Sequence, residues 1–322
     1  MPSVRFMRNV RGWGIAAPAI ALALASWGVI DAPPAHAVAH LLPLAIAYSL
    51  AAALVLWFVA GQMWPAASAL MATAALCYLW LPRGAEGSAQ LTPARVDAVA
   101  PRLKVLQLNV WGGNRDLARV DDLIDAGGFD LVALQECGDA CYEGRARRWS
   151  KEGFFSVRLA QARMALFSRA PLSAADASFD PPMLAADVEF APGRKVRVVS
   201  VHLDRPWPFG AQSAHEAQFR AVMGLARAPA RPLIVLGDFN TVPWASWART
   251  GLTSAGLEET RLPALPAGTW PARLHQVGVA FPLPFVPLDG IFVKNGPVPL
   301  AWNVGPDVGS DHRPLMVTLA LP

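Results

Sequence analysis

From Leu103 onward, eight short apolar runs alternate with stretches of helical pattern: KVLQLNV, DLVALQE, MALFSR, ADVEFA, KVRVVSVHL, PLIVLGDF, DGIFV and LMVTLAL. None exceeds nine residues, and all are rich in Val, Leu, Ile or Phe, the length and composition of buried strands. Between them, residues 115 to 127 and 211 to 227 carry apolar side chains at spacings of three and four, which predicts amphipathic surface helices. Near-continuous apolar strands need cover on both faces, so the pattern predicts an α/β layered domain. The 29 prolines concentrate between Leu262 and Pro299. That stretch reads as irregular loop, with Asp289 on a strand emerging from it.

The same strands end in polar groups. Asn109 closes LQLNVWGGN, Glu136 closes LVALQE, His202 and Asp204 follow VRVVSV, Asp238 and Asn240 sit in LIVLGDFN, and Asp311 and His312 sit in GSDHRPL, with Asp289 opening DGIFV. Any one of these has a plain explanation as a turn or helix cap. Repetition changes the reading, because polar groups at the ends of buried strands are costly to desolvate without partners. Gathered in one cleft, carboxylates, carboxamides and imidazoles suit a hard divalent cation and a phosphate ester, which points to a hydrolase. Other catalytic signatures are absent. There is no G-x-S-x-G elbow and no Gly-rich phosphate loop, and after His215-Glu216 a Phe219 stands where a zinc protease needs His. His215 therefore reads as a surface helix residue and His275 as a loop residue.

The first third is of a different kind. Residues 13 to 30, 41 to 60 and 64 to 82 hold no Lys, Arg, Asp or Glu. Each is about the ~20 residues that cross a bilayer core, which predicts three transmembrane helices. Arg5, Arg8 and Arg11 precede the first and the loop from Asp31 to His40 has no Lys or Arg, so the N-terminus is expected in the cytoplasm and the chain after Trp80 outside. In the rival reading residues 1 to 37 are a signal peptide with the A-x-A site Ala35-His36-Ala37, which leaves a two-span hairpin and the same external C-terminal part. The tight connection near Gly61 and Gln62 also allows one long or re-entrant element. Residues 1 to 82 are thus a membrane anchor, 83 to 101 a linker of small, polar and Pro residues, and 102 to 322 the catalytic domain.

From residue 83 onward, 25 Lys and Arg face 23 Asp and Glu, so charge alone does not indicate nucleic acid. Arg145, Arg147, Arg148 and Lys151 around Trp149 read as a solvated face, or as a phosphate-binding patch. Cys77 is a small buried residue of the third span. Cys137 and Cys141 follow Glu136 directly; in an oxidising exterior they could pair, a loop suiting the bond better than a regular helical turn. No ligand spacing for zinc follows them. Trp207, Trp244 and Trp247 flank two of the polar clusters and read as packing residues, or as stacking or lipid-inserting ones.

The ordered set LNVWGGN, LQE, VHLD, GDFN, LDGIF and SDHRPL resembles the endonuclease/exonuclease/phosphatase superfamily over about residues 102 to 322. The resemblance implies a four-layered sandwich of two packed β-sheets flanked by helices, and Mg²⁺ or Mn²⁺ as cofactor. It makes Glu136 the main metal ligand, with Asn109 and Asp311 as ligands or organisers of metal-bound water. Asp238 would position or deprotonate the attacking water, and Asn240 would hold the phosphate. His312, oriented by Asp289, would polarise the phosphate, and His202 would contact a phosphate oxygen or assist the leaving group. Asp204 would lie one layer behind. Gly290 departs from the family pattern, where a larger residue is common, and could widen the cleft. Membrane-anchored bacterial members exist, which suits an anchor in the inner membrane and a periplasmic catalytic domain. The expected function is hydrolysis of a phosphodiester, in a lipid head group or a nucleic acid; the alternatives are a nuclease for DNA or RNA and a non-catalytic phosphate-binding module.

Overall fold

A computed structural model describes residues 4–27, 39–80, 100–206, 212–228, 231–261, 268–274 and 279–322. Most of the expected linker, the Ala35-His36-Ala37 site, Trp207 and His275 lie outside them. The chain divides into two units, one of Met1–Leu81 with Val242–Arg249, the other of Pro82–Thr241 with Thr250–Pro322.

The first unit contains α1 (Val4–Ser26), α2 (Leu42–Leu54), continued by a π-helical turn over Val55–Val59, and α3 (Met63–Trp80). The helices pack on one another mainly through small side chains: Ala16, Ala19, Ala45, Ser49, Ala52 and Ala69 are buried, together with Leu42, Leu56 and Leu76. Phe58, Val59, Trp64 and Met71 are 72 to 81 % exposed, so bulky apolar groups cover the outside. Gly61, at φ +59°, makes the break between α2 and α3, in the left-handed region where glycine carries no Cβ penalty. Trp244 of the 242–249 segment donates its indole N–H to the Ala39 carbonyl at 2.7 Å. It is buried as a packing residue, while Trp247 is half-buried.

Three spans were expected here. Among the described residues one helix, Leu42–Val59, is long and apolar enough to cross a membrane, and the apolar part of α3, Met63–Leu79, is shorter. The first helix starts at Val4 rather than residue 13 and takes in Arg5, Arg8 and Arg11. Arginine has nearly the helix propensity of leucine, so the helix does not wait for the apolar run, and its charged start shortens the apolar part.

Among the described residues the second unit holds fourteen strands. In chain order its elements are β1 (Arg102–Asn109), α4 (Ala118–Gly127), β2 (Leu131–Gln135), α5 (Asp139–Ser150), β3 (Phe155–Leu159), β4 (Met164–Ser168), β5 (Leu172–Phe179), β6 (Pro182–Ala191), β7 (Arg194–His202), α6 (Gln212–Arg227) and β8 (Leu233–Asp238). Then come α7 (Ser246–Ala255), whose first residues belong to the other unit, β9 (Glu258–Glu259), β10 (Arg273–Leu274), β11 (Val279–Ala280), β12 (Asp289–Lys294), β13 (Val298–Val304) and β14 (Leu315–Ala320). All eight expected strands are present, and 118–127 and 212–227 are helical as their periodicity predicts.

Two six-stranded sheets result, ordered β13-β14-β1-β2-β4-β3 and β5-β6-β7-β8-β12-β9. Each holds one parallel pair, β1 with β2 and β7 with β8, and each pair is bridged by a helix, α4 or α6. A parallel pair needs such a crossover; the antiparallel pairs do not. The sheets pack face to face over one apolar layer that takes alternate residues from each strand: Leu103 and Val105, Leu131 and Ala133, Val196 and Val198, Ile234 and Leu236, Ile291 and Val293, Leu315 and Val317. On β1 and β2 the intervening residues, Leu106, Leu108, Val132 and Leu134, pack on the other side of the first sheet with Val120 and Ile124 of α4 and Trp149 of α5. Each fully buried side chain of this size stabilises by about 1.5–3 kcal/mol, which is why the period of two holds so strictly.

Some side chains differ from expectation. Arg145 is not on a solvated face: it is buried, paired with Asp121 at 3.0 Å, and Trp149 is wholly buried beside it. Their spacing of four puts both on the inner side of α5. His215 is likewise fully buried, its Nδ1 2.6 Å from the Asp204 carbonyl. Gly290 makes room for a ring rather than a wider cleft, since a Cβ there would lie 2.5 Å from the Phe292 ring, which packs edge-on against Phe239.

Candidate active site

The layer between the sheets changes character toward one end. On β1 the inward series runs Leu103, Val105, Gln107, Asn109; on β2, Leu131, Ala133, Gln135; on β7, Val196, Val198, Ser200, His202; on β8, Ile234, Leu236, Asp238. Strand β12 runs antiparallel to β8 and gives Val293, Ile291, Asp289 toward the same end. Five strands in the same alternation thus turn from apolar to polar at one edge of the sandwich. Register brings the groups level: Asn109 is beside Gln135, His202 beside Asp238, and Asp238 beside Asp289.

Hydrogen bonds join the two sheets beneath the cleft. The Gln107 amide donates to Gln135 Oε1 and to Asp289 Oδ1, both at 2.9 Å, and Gln135 donates to the Ser200 hydroxyl at 3.0 Å. Above them, the Asn109 amide nitrogen donates to Glu136 Oε1 at 3.1 Å and to Asp238 Oδ2 at 3.0 Å, while its oxygen accepts the Trp111 N–H at 2.9 Å. Glu136 Oε2 accepts the Gly112 N–H at 2.7 Å. His202 Nε2 lies 3.9 Å from Glu136 and 3.8 Å from Asp238.

His312 completes the cluster. Its Nδ1 stands 2.7 Å from Asp289 Oδ2, and since a carboxylate only accepts, the ring donates. Its Nε2 faces Asp238 Oδ2 at 3.7 Å and Asp311 Oδ2 at 4.0 Å. The Ser310 hydroxyl accepts the His312 N–H and donates to the Asn109 carbonyl, pinning this loop to the end of β1. Asn240 donates its backbone N–H to Asp238 Oδ1 and its amide to the Leu203 carbonyl. All eight expected site residues come together, whereas the Asp204 carboxylate turns away to accept the Gln218 amide on α6.

Charge is unevenly held. Burial acts to raise the Glu136 carboxyl, but the Gly112 N–H, the Asn109 amide and the imidazoles of His202 and His312 outweigh it and hold the group below its ordinary range. At Asp238 burial wins: the carboxyl is raised, the pull of His312 being offset in part by neighbouring Asp289. Burial opposes an imidazolium at His312, yet Asp289 and Asp238 raise it to about 10. Three residues around the cleft, Trp111, Glu136 and Asn240, have φ between +48° and +57°. Side-chain-bearing residues adopt that conformation at a cost, and such strain gathers at functional sites.

Sequence reasoning missed Gln107, Gln135, Ser200, Ser310 and Gly112. Gln107 and Ser200 were visible as polar interruptions two residues before a strand-terminal polar group, and Gln135 directly precedes Glu136. Gly112 contributes a backbone N–H and left no such signal.

Residues 106–312 match the model of the Endonuclease/Exonuclease/phosphatase family. The chain belongs to this family. It is accordingly a metal-dependent hydrolase of phosphate ester bonds, and the two packed mixed sheets with flanking helices are the family's sandwich. No curated protein sequence matches it. Among solved structures, a humanized D. rerio TDP2 superposes with a TM-score of 0.56 at 19% identity, covering 68% of this chain and 99% of that one. The 3′ phosphatase NExo from Neisseria, bound to a product DNA hairpin, gives 0.55 at 20% identity over 68% and 99%. The human Nocturnin catalytic domain gives 0.53 at 17% identity over 70% and 96%. At these identities the likeness is one of fold.

Proposed function

We propose that this family member is a membrane-anchored phosphodiesterase that hydrolyses its substrate by attack of water. The observation that carries the reading is an ionised, quarter-exposed Glu136 carboxylate meeting two imidazoles and a raised, buried Asp238 at one sheet edge. The donor set fits a hard divalent cation. It offers the oxygens of Glu136 and Asp311 and no thiolate, the chemistry of Mg²⁺ or Mn²⁺. Ligand atoms of Asp238, Asp289 and His312 lie within 4.8 Å of one another, but Asp289 and His312 already satisfy each other, so Glu136 is the better anchor. When bound, the cation would polarise a phosphoryl oxygen and offset charge built up in the transition state.

The residues divide the rest of the work. Asn109 directs its N–H₂ at both carboxylates and so organises Glu136 and Asp238 rather than offering its own oxygen. Asp238, made more basic by burial, orients the water and accepts its proton. Protonated His312, its ring fixed by Asp289, donates to a phosphoryl oxygen. His202, less buried than His312, would contact the phosphate or assist the leaving oxygen. Asn240 holds the phosphate from the loop after β8.

The anchor reading is supported by Leu42–Val59 and by the bulky apolar exterior and alanine-rich interior of the helical unit, the arrangement of helices packed in lipid. With three crossings, or two after cleavage, the catalytic domain would face the periplasm of a bacterial inner membrane. A reporter fused after Pro322 should then be active outside the cytoplasm only. Substrate is either a nucleic acid, as in the DNA-bound relatives, or a lipid head group, as a membrane position favours. The test is hydrolysis by the full chain in detergent of plasmid DNA, RNA, phospholipid vesicles and phosphomonoesters, with Mg²⁺, Mn²⁺ or EDTA. Metal-dependent turnover abolished by Asp238→Ala and by His312→Ala is expected; turnover that persists in either variant overturns the assignment.

A further inference from the structure

Arg163 stands beside the cleft and has no role in the chemistry above. It ends the turn between β3 and β4, its N–H bonded to the Ala160 carbonyl at 3.0 Å, with φ +54°. Its guanidinium lies beside Gly112 and Gly138. A Cβ on Gly112 would meet Arg163 Nη2 at 2.5 Å, and one on Gly138 would meet its Nε at 3.4 Å. The guanidinium of this exposed residue thus lies over Gly112, the residue whose N–H holds the Glu136 carboxylate.

Two facts indicate that this position serves a ligand. First, the guanidinium makes no hydrogen bond or ion pair among the described residues, while Arg119, Arg145, Arg148, Arg158 and Arg273 nearby are each paired with an Asp. It is not within ion-pair reach of Glu136, so it does not compete for the cation's ligand. Second, a left-handed φ at a position bearing a long side chain costs energy that glycine would spare.

We infer that Arg163 forms a second anion subsite that binds a phosphate group adjacent to the one hydrolysed. A planar guanidinium fork matches two phosphate oxygens at once, and a substrate with a second phosphate gains both contacts. The inference rests on the phosphodiesterase reading for the position of the first phosphate, but it fails separately.

Adenosine 3′,5′-bisphosphate and adenosine 5′-monophosphate differ by one phosphate and serve as probes, their binding to the full chain in detergent with Mn²⁺ being measured by calorimetry. The wild type should bind the bisphosphate about tenfold more tightly. Arg163→Ala should remove that advantage while Mn²⁺ affinity stays at the wild-type value, and Arg163→Lys should restore part of it. Arg163→Gly suits the φ and should be at least as thermally stable as the wild type while losing the preference equally, which separates binding from folding. Equal binding of both probes by the wild type, or an unchanged ratio in Arg163→Gly, overturns the inference. Loss of Mn²⁺ binding in Glu136→Gln tests the metal site independently.

Discussion

Asp289 and His312 have only each other and their neighbours to satisfy them, since both are buried. Removing one partner strands a charge, so Asp289→Asn should lower stability by about 3 kcal/mol. The pair also fixes a pH dependence. The folded-state pKa of His312 is raised from 6.5 to about 10, so its contribution is complete below pH 6.5 and is lost as pH rises toward 10. Denaturant unfolding in EDTA should show that decline in the wild type and a flatter profile in Asp289→Asn; equal slopes would refute the linkage. At Glu136 the sign is opposite, because the depressed carboxyl stabilises above its ordinary pKa and loses that as pH falls. Glu136→Gln should reduce turnover by about 10²-fold or more, read in steady-state kinetics. Residues at this scale were legible where chemistry interrupts a pattern. Gln107 and Asn109 stand two apart in an apolar strand, which is enough to place both on one face. The left-handed conformation of Glu136 was not legible, because it arises from the tertiary hold of the Gly112 N–H and the Asn109 amide on its carboxylate.

Strand β2 hands its metal-binding residue directly to a crosslink. Cys137 and Cys141 are joined, with Cα atoms 5.2 Å apart, where the loop after Glu136 enters α5. The helix is held in turn by buried Arg145, whose guanidinium also donates to the Leu117 carbonyl ahead of α4. One helix therefore fastens both loops that carry Asn109 and Glu136. Exchanging both cysteines for serine should cost about 2 kcal/mol and lower turnover as well, and stability unaffected by reduction of the wild type would contradict this. At β8 the constraint is steric. Gly237, at φ +143°, would place a Cβ 2.0 Å from the Val201 carbonyl oxygen on parallel β7, so Gly237→Ala should cost about 3 kcal/mol by thermal or denaturant unfolding. Elements with unbroken apolar runs were readable from sequence. β5 and β13 were not, because their half-exposed alternation is weak, and α5 was hidden by charges that turned out to be partly internal.

Across the whole second unit, the sandwich follows from the apolar runs, but the strand order does not, because neighbours are chosen by long-range packing rather than local pattern. The first sheet places β14 between β13 and β1, with Arg102 level with Ala320 and Gln107 level with Leu315. The middle of that sheet is therefore made from segments about two hundred positions apart in sequence. Pairings of such separation are slow to form, since closing the intervening loop comes before any gain from contact. Until residues 315–320 have left the ribosome, β1 has one open edge, and the Asp311–His312 loop has no strand to hold it over Asn109. A chain cut off before Leu315 should therefore be inert toward phosphate esters, since the strand that positions the Asp311–His312 loop is missing.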